Sequence, residues 1–280
     1  MKTIKQWFGK WFILTILWFV LNLIDFSNLQ LANTNREALL GYAIMAMLDS
    51  LILCWVLAKS TKCKFSLVVP LFMAVFGMKF LLTTVEAVYL PDLRPIIIPL
   101  LINGAIASIV WSATAVIICI GYSSKSDQKQ IFDMPDWSQK WYQWIYKPVL
   151  VAIIWMVLFV IFGGLVFMNI AKLIDPQALA SYANLNMPDW VLPFQGLRAI
   201  LWLALSLPLL SQLRGIRSSV MLQTGAIFGV WMGSNLLLAL DFSPGLRYAH
   251  LAEVMLECFV FGIVVVLIFT RKKKQTLQNE

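Results

Sequence analysis

Apolar positions along this chain show neither the alternation of strands nor the three-and-four spacing of water-facing helices. They run in unbroken blocks at 8–26, 38–58, 66–90, 95–122, 148–170, 194–212, 218–240 and 247–270. A helix rises 1.5 Å per residue, so about 20 residues cross the roughly 30 Å of hydrocarbon in a bilayer. The blocks have that length. The pattern predicts an all-α fold, a polytopic transmembrane helix bundle of eight spans whose principal partner is the lipid bilayer.

Charge between the blocks orients them. With the first end in the cytoplasm, the inside segments hold Lys2, Lys5, Lys10, Lys59, Lys62, Lys64, Lys125, Lys129, Lys140, Lys147, Arg214, Arg217, Arg271, Lys272, Lys273 and Lys274. That is 16 of the 22 Lys and Arg residues. Arg36, Arg94, Lys172, Arg198 and Arg247 fall on the other side, and Lys79 falls within the membrane. Such asymmetry places both termini in the cytoplasm, with the chain in a plasma (cytoplasmic) membrane. Lys2 to Lys10 followed by an apolar run imitates a secretory signal, but no small-x-small cleavage site follows. The reading is a retained first helix.

Two segments read as interfacial. Residues 136–147 align Trp137, Trp141 and Trp144 on one stripe beside Lys140 and Lys147, as in an amphipathic helix lying at the headgroups. Asp175-Pro176 resembles an N-cap followed by Pro at the first helical position. Met-Pro-Asp-Trp occurs at both 134 and 187, each copy leading into a span.

A weak internal repeat relates the two ends of the chain. Ile13–Ile24 resembles Leu150–Ile161, with Trp18 matching Trp155. Ala74–Gly77 matches Ala226–Gly229, and Pro91–Arg94 matches Pro244–Arg247. Matches in this order predict two parallel four-helix repeats, 1–125 and 148–280, joined by an amphipathic cytoplasmic linker over 126–147.

Composition narrows the function classes. Hydrophobic residues make up 60% of the chain and charged ones 13%, about half the share of a soluble domain. The net charge of +8 does not imply nucleic acid, because the basic residues cluster between spans and form no phosphate-binding face. Four scattered cysteines without a CxxC offer neither a disulfide framework nor a thiolate metal site.

Ionisable side chains inside a membrane are costly, which makes them the candidate site residues. Asp49 and Lys79 fall near the midplane, where neighbouring helices can pair them; such a pair serves either helix register or transport. In the last span Arg247, His250, Glu253 and Glu257 form one polar intramembrane stripe, with Glu86 of the third span and Arg198 of the sixth able to converge on it. That stripe suits a solute path, or a polar network holding helices together.

No metal or cofactor is implied. One histidine excludes HExxH and bis-histidine haem, and mixed ligation by His250, Glu253, Glu257 and Glu86 has no diagnostic spacing. GxSxG, Walker A and dinucleotide fingerprints are missing, which lowers the prior for an enzyme. The glycines Gly225, Gly229 and Gly233 would give the seventh span one smooth face for close packing.

Pro193-Phe194-Gln195-Gly196-Leu197-Arg198-Ala199-Ile200-Leu201-Trp202, Leu207-Pro208-Leu209 and Arg247-Tyr248-Ala249-His250-Leu251-Ala252-Glu253 resemble an uncharacterised group of bacterial multi-pass membrane proteins. The resemblance brings no activity; it marks Arg198, Arg247, His250 and Glu253 as positions of interest. Three readings follow. The first is a transporter or permease for a small-molecule or ion substrate, using the buried carboxylates and the histidine. The second is a membrane-embedded enzyme acting on a lipid-type substrate through His250 and Glu253. The third is a non-catalytic membrane subunit or assembly factor.

Overall fold

In a computed structural model of the chain, the described residues are 2–28, 30–31, 34–60, 65–86, 94–95, 97–119, 132–133, 139–177, 179, 189–240 and 242–272. Eight helices within them are long and apolar enough to cross a membrane. They are α1 (Gln6–Leu23), α2 (Arg36–Ala58), α3 (Phe65–Val85), α4 (Ile97–Cys119), α5 (Gln143–Ile174), α6 (Val191–Leu210), α7 (Arg217–Leu238) and α8 (Pro244–Phe269). The strands among the described residues form two short antiparallel ribbons. β1 (Ile24–Asp25) pairs with β2 (Gln30–Leu31), and β3 (Phe132–Asp133) pairs with β4 (Arg271–Lys272).

Helix ends follow local chemistry. Asn35 caps α2, its side chain accepting from the Ala38 amide at 2.8 Å. Ser243 caps α8 ahead of Pro244, whose missing N–H costs nothing in the first turn. Three spans depart from regular α geometry. A π-helical stretch interrupts α3 at Gly77–Leu81 and α5 at Val160–Phe167, and α7 tightens to a 3₁₀ turn over Ser234–Leu238.

The expected interfacial helix over 136–147 is not a separate element in its described part. The helix runs continuously from Gln143 into α5. Trp144 packs on Phe269 with ring centroids 6.1 Å apart, and Lys147 Nζ donates to Gln139 Oε1 at 2.7 Å. Packing on α8 therefore continues the span. Trp137 lies outside the described residues.

Burial is inverted relative to a water-soluble bundle. Phe12, Ile13 and Ile16 of α1 and Ile153, Val157 and Val160 of α5 are exposed, while Asp49, Lys79, Arg198, Arg247, Glu253 and Glu257 are buried. An apolar exterior around a charged interior is stable only where lipid is the solvent. The chain is an integral, multi-pass membrane protein.

Contacts between spans follow a symmetric plan. Among the first four, α1 packs on α2 and α4, and α3 packs on α4; among the last four, α5 packs on α6 and α8, and α7 packs on α8. The two sets meet through α2 on α7, α3 on α6 and α3 on α7. Exchanging the sets leaves this plan unchanged. At the closest pairing, α7 against α8, a Cβ on Gly262 would lie 2.6 Å from the Thr224 carbonyl oxygen, and one on Gly229 would lie 2.7 Å from that of Met255. Only glycine permits this approach.

The start of α1 and the end of α8 lie at one face of the bundle, the terminal face, where Ser60 bridges to Leu213 and Arg217 Nη2 donates to the Leu267 carbonyl at 3.1 Å. The distal face is tied by Arg247 to Glu37 and by Ser243 to Asp175.

Candidate functional site

Four spans converge on one buried ion pair. Asp49 lies 13 residues into α2, about 20 Å along its axis, and Lys79 lies in the π turn of α3. Lys79 Nζ is 2.8 Å from Asp49 Oδ2, and neither side chain has exposed surface. The ammonium also donates to Ser234 Oγ at 2.8 Å and to the Trp231 carbonyl at 3.2 Å, both on α7, so its three N–H groups are all engaged. Asp49 accepts from Trp18 Nε1 of α1 at 2.9 Å and from Ser234 Oγ at 2.8 Å. The Trp231 indole donates to the Asp49 carbonyl at 3.3 Å.

Trp18 is held in place by stacking on Trp111 of α4, with centroids 4.2 Å apart. The Lys79 carbonyl, in the π turn, accepts from Asn235 Nδ2 at 2.8 Å and from the Thr83 hydroxyl at 3.1 Å. Two charges taken out of water are tolerable here because nearly every lone pair and proton has a partner.

A cavity of about 410 Å³ on the distal side, among the ends of α1, α2, α4 and α7, reaches Lys79. Asn22, Asp25, Gln30, Tyr42, Thr83, Asn103 and Asn235 supply its polar lining, Leu21, Met45 and Phe80 part of its apolar lining, and Lys79 lies at its inner end. At the mouth, Asp25 accepts from the Ser27 hydroxyl, from Asn28 Nδ2 at 2.8 Å and from Asn103 Nδ2 at 3.0 Å. These donors, Ser27 foremost, hold its carboxyl well below the usual carboxylate range. Asn103 belongs to α4, so the mouth joins the α1–α2 turn to a fourth span. Amides and hydroxyls make up most of its polar groups, set among an apolar wall, and the Lys79 charge is already compensated by Asp49. That chemistry suits a small polar solute that is neutral or cationic.

The polar stripe of α8 divides. Arg247, at its distal end, turns away from the carboxylates, forms an ion pair with Glu37 of α2 and stacks over Tyr248 at 5.3 Å. His250, Glu253 and Glu257 stay together: His250 Nδ1 is 2.7 Å from Glu253 Oε2, and Glu257 is buried one turn further along α8. Arg198 reaches them electrostatically from α6, its guanidinium 4.5 Å above the Trp202 ring and its Nη1 donating to Gln195 at 3.0 Å. Gly163, in the π stretch of α5, faces Glu253: a Cβ there would lie 3.9 Å from Oε1. Glu86 ends the helical part after α3, and its side chain lies outside the described residues. None of these α8 residues lines the cavity.

Sequence reasoning brought Asp49 to Lys79 and located His250, Glu253, Glu257 and Arg198. It missed Glu37 as the partner of Arg247, and it missed the amide-lined cavity. Asn22, Asn103 and Asn235, each uncharged but polar inside or at the end of an apolar block, carried that signal. Among the described residues, no three His, Cys, Asp or Glu side chains are placed to hold a metal ion. No known family, curated protein or solved structure matches the chain.

Proposed function

We propose that this chain is a transporter for a small polar solute in a plasma membrane, with both termini cytoplasmic and the cavity open to the opposite side. The observation that carries the reading is a cavity with amide and hydroxyl groups in its wall that reaches Lys79 from the distal side. A structural ion pair needs no cavity leading to it. A solute path does, and intramembrane charge beside irregular helix is its usual setting. The distribution of Lys and Arg supports the orientation.

The two-repeat reading belongs to the same proposal, with halves 1–125 and 148–280 related in parallel. It is supported by the symmetric contact plan and by the matched tryptophans. Trp18 of α1 donates to Asp49 of α2 and stacks on α4. Trp155 of α5 donates to Gln195 of α6 at 3.4 Å and meets Phe261 of α8 at 4.9 Å. Solute sites between such halves are a recurrent transporter plan.

The test is uptake by proteoliposomes of a panel of labelled amides, polyols, amino acids and small amines. Uptake of one class, lost in Asp49→Asn and in Asn103→Leu with both variants still folded, is the expected result. An inert panel, or uptake indifferent to both substitutions, overturns the reading.

A further inference from the structure

Glu253 and Glu257 are both buried one turn apart on α8, with His250 Nδ1 2.7 Å from Glu253 Oε2. Two ionised carboxylates held this close and out of water repel each other, which favours a proton held within the group. Charge counting gives the same answer. From α6, Arg198 supplies one cation. From α5, the facing stretch Val160–Phe167 holds no ionisable residue, and from α7 neither does Gly225–Leu238. On α8 itself Arg247 is engaged by Glu37. One guanidinium offsets one of the two carboxylates, and a second uncompensated charge would be prohibitive at this depth, so the group of His250, Glu253 and Glu257 holds a proton.

The pair has a route to the surface. His250 bridges outward from Glu253 and keeps 24% of its side chain exposed, against 3% for Glu253. Its ring is fixed between Phe167 at 5.1 Å and Phe242 at 6.2 Å. From His250 to Glu257 the three groups descend about 10 Å along the helix. Two further observations point to an occupant. Glu257 Oε1 is buried without a hydrogen-bond partner among the described residues. Opposite the pair, Gly163 offers no side chain, and a Cβ there would lie 3.9 Å from Glu253 Oε1.

We propose that Glu253 and Glu257 form a proton-binding site, loaded from the distal face through His250. The site lies apart from the cavity, and proton binding there does not depend on the transporter reading. Its use as the coupling ion of transport does rest on that reading.

Infrared difference spectroscopy of the full-length protein in lipid bilayers, titrated with pH, reads the bound proton directly as the carbonyl stretch of a carboxylic acid, shifted by deuterium. The expected result is a band lost in Glu257→Gln and lost or displaced in Glu253→Gln, since glutamine mimics the protonated acid and preserves packing. In His250→Ala the band persists but exchanges with bulk deuterium more slowly. Absence of the band in the wild type, or its survival unchanged in both glutamine variants, overturns the proposal. So does sodium bound by the wild type and released by Glu257→Gln without any acid band, because a metal cation then takes the proton's place. A band without solute uptake keeps the proton site and removes the transporter reading; uptake without a band does the reverse.

Discussion

Lys79 spends all three of its N–H groups within the bundle, on a carboxylate, a hydroxyl and a backbone carbonyl. Replacing either member of the pair leaves the other as a buried, uncompensated charge. Asp49→Leu or Lys79→Met alone is therefore expected to cost about 3–5 kcal/mol, and the double variant clearly less than the sum. Thermal unfolding of the three variants in detergent checks this; additive losses would mean the pair is not coupled. Asp25 has the opposite setting, at the surface end of the cavity, with its carboxyl held below the usual range by the Ser27, Asn28 and Asn103 donors. A depressed folded-state value contributes stability above the ordinary carboxylate range, and that contribution is lost only as pH falls through the lower, folded-state value. The cavity mouth should therefore keep its shape between neutral pH and mild acid. Labelling of a cysteine at Gln30 across that interval should slow only in step with a free-thiol reference, as its thiolate fraction falls.

At the level of helices, the glycine face of α7 is the most exacting feature. A side chain at Gly262 would run into the backbone of Thr224, so Gly262→Leu must separate α7 from α8 or shift one along the other. A loss of at least about 1–3 kcal/mol is expected, visible as a lowered midpoint of unfolding; Gly164→Ala, with open space at its Cβ, should leave that midpoint unchanged. The sequence made this face legible because small residues at four-residue spacing are a local pattern. Span number was legible for the same reason: eight apolar blocks of membrane-crossing length are read off without knowing any contact. The π turns at Lys79 and at Gly163 were not legible, because an extra residue in a helical turn leaves no mark on an apolar sequence. Nor was Glu37, which lies 210 residues from Arg247 and meets it only through the packing of α2 near α8. The start of α5 went the same way: Trp144 and Lys147 read as a headgroup stripe until Phe269 is known to lie beneath them.

For the whole molecule, the testable quantity is sidedness. In the proposed orientation the distal face, with the cavity, lies outside. A cysteine at Gln30 should react with a membrane-impermeant maleimide added to intact cells, and one at Ser211 should react only after the membrane is opened. The reverse pattern would turn the cavity toward the cytoplasm.

A last consequence concerns length. The π stretch Val160–Phe167 spans eight residues of α5, and a π turn holds more chain than an α turn over the same height. Elsewhere in a span, deleting one residue rotates everything beyond it by about 100° and pulls its lipid-facing side chains inward. Here the deletion has slack to draw on. Removing Gly164 lets the stretch rewind to a regular α-helix while Met168–Ile174 keeps its seat against α8, so the shortened protein should still reach the membrane folded. Removing Ile153, in the regular part of the same helix, should not be survivable, and comparing folded yields of the two deletions measures that spare residue.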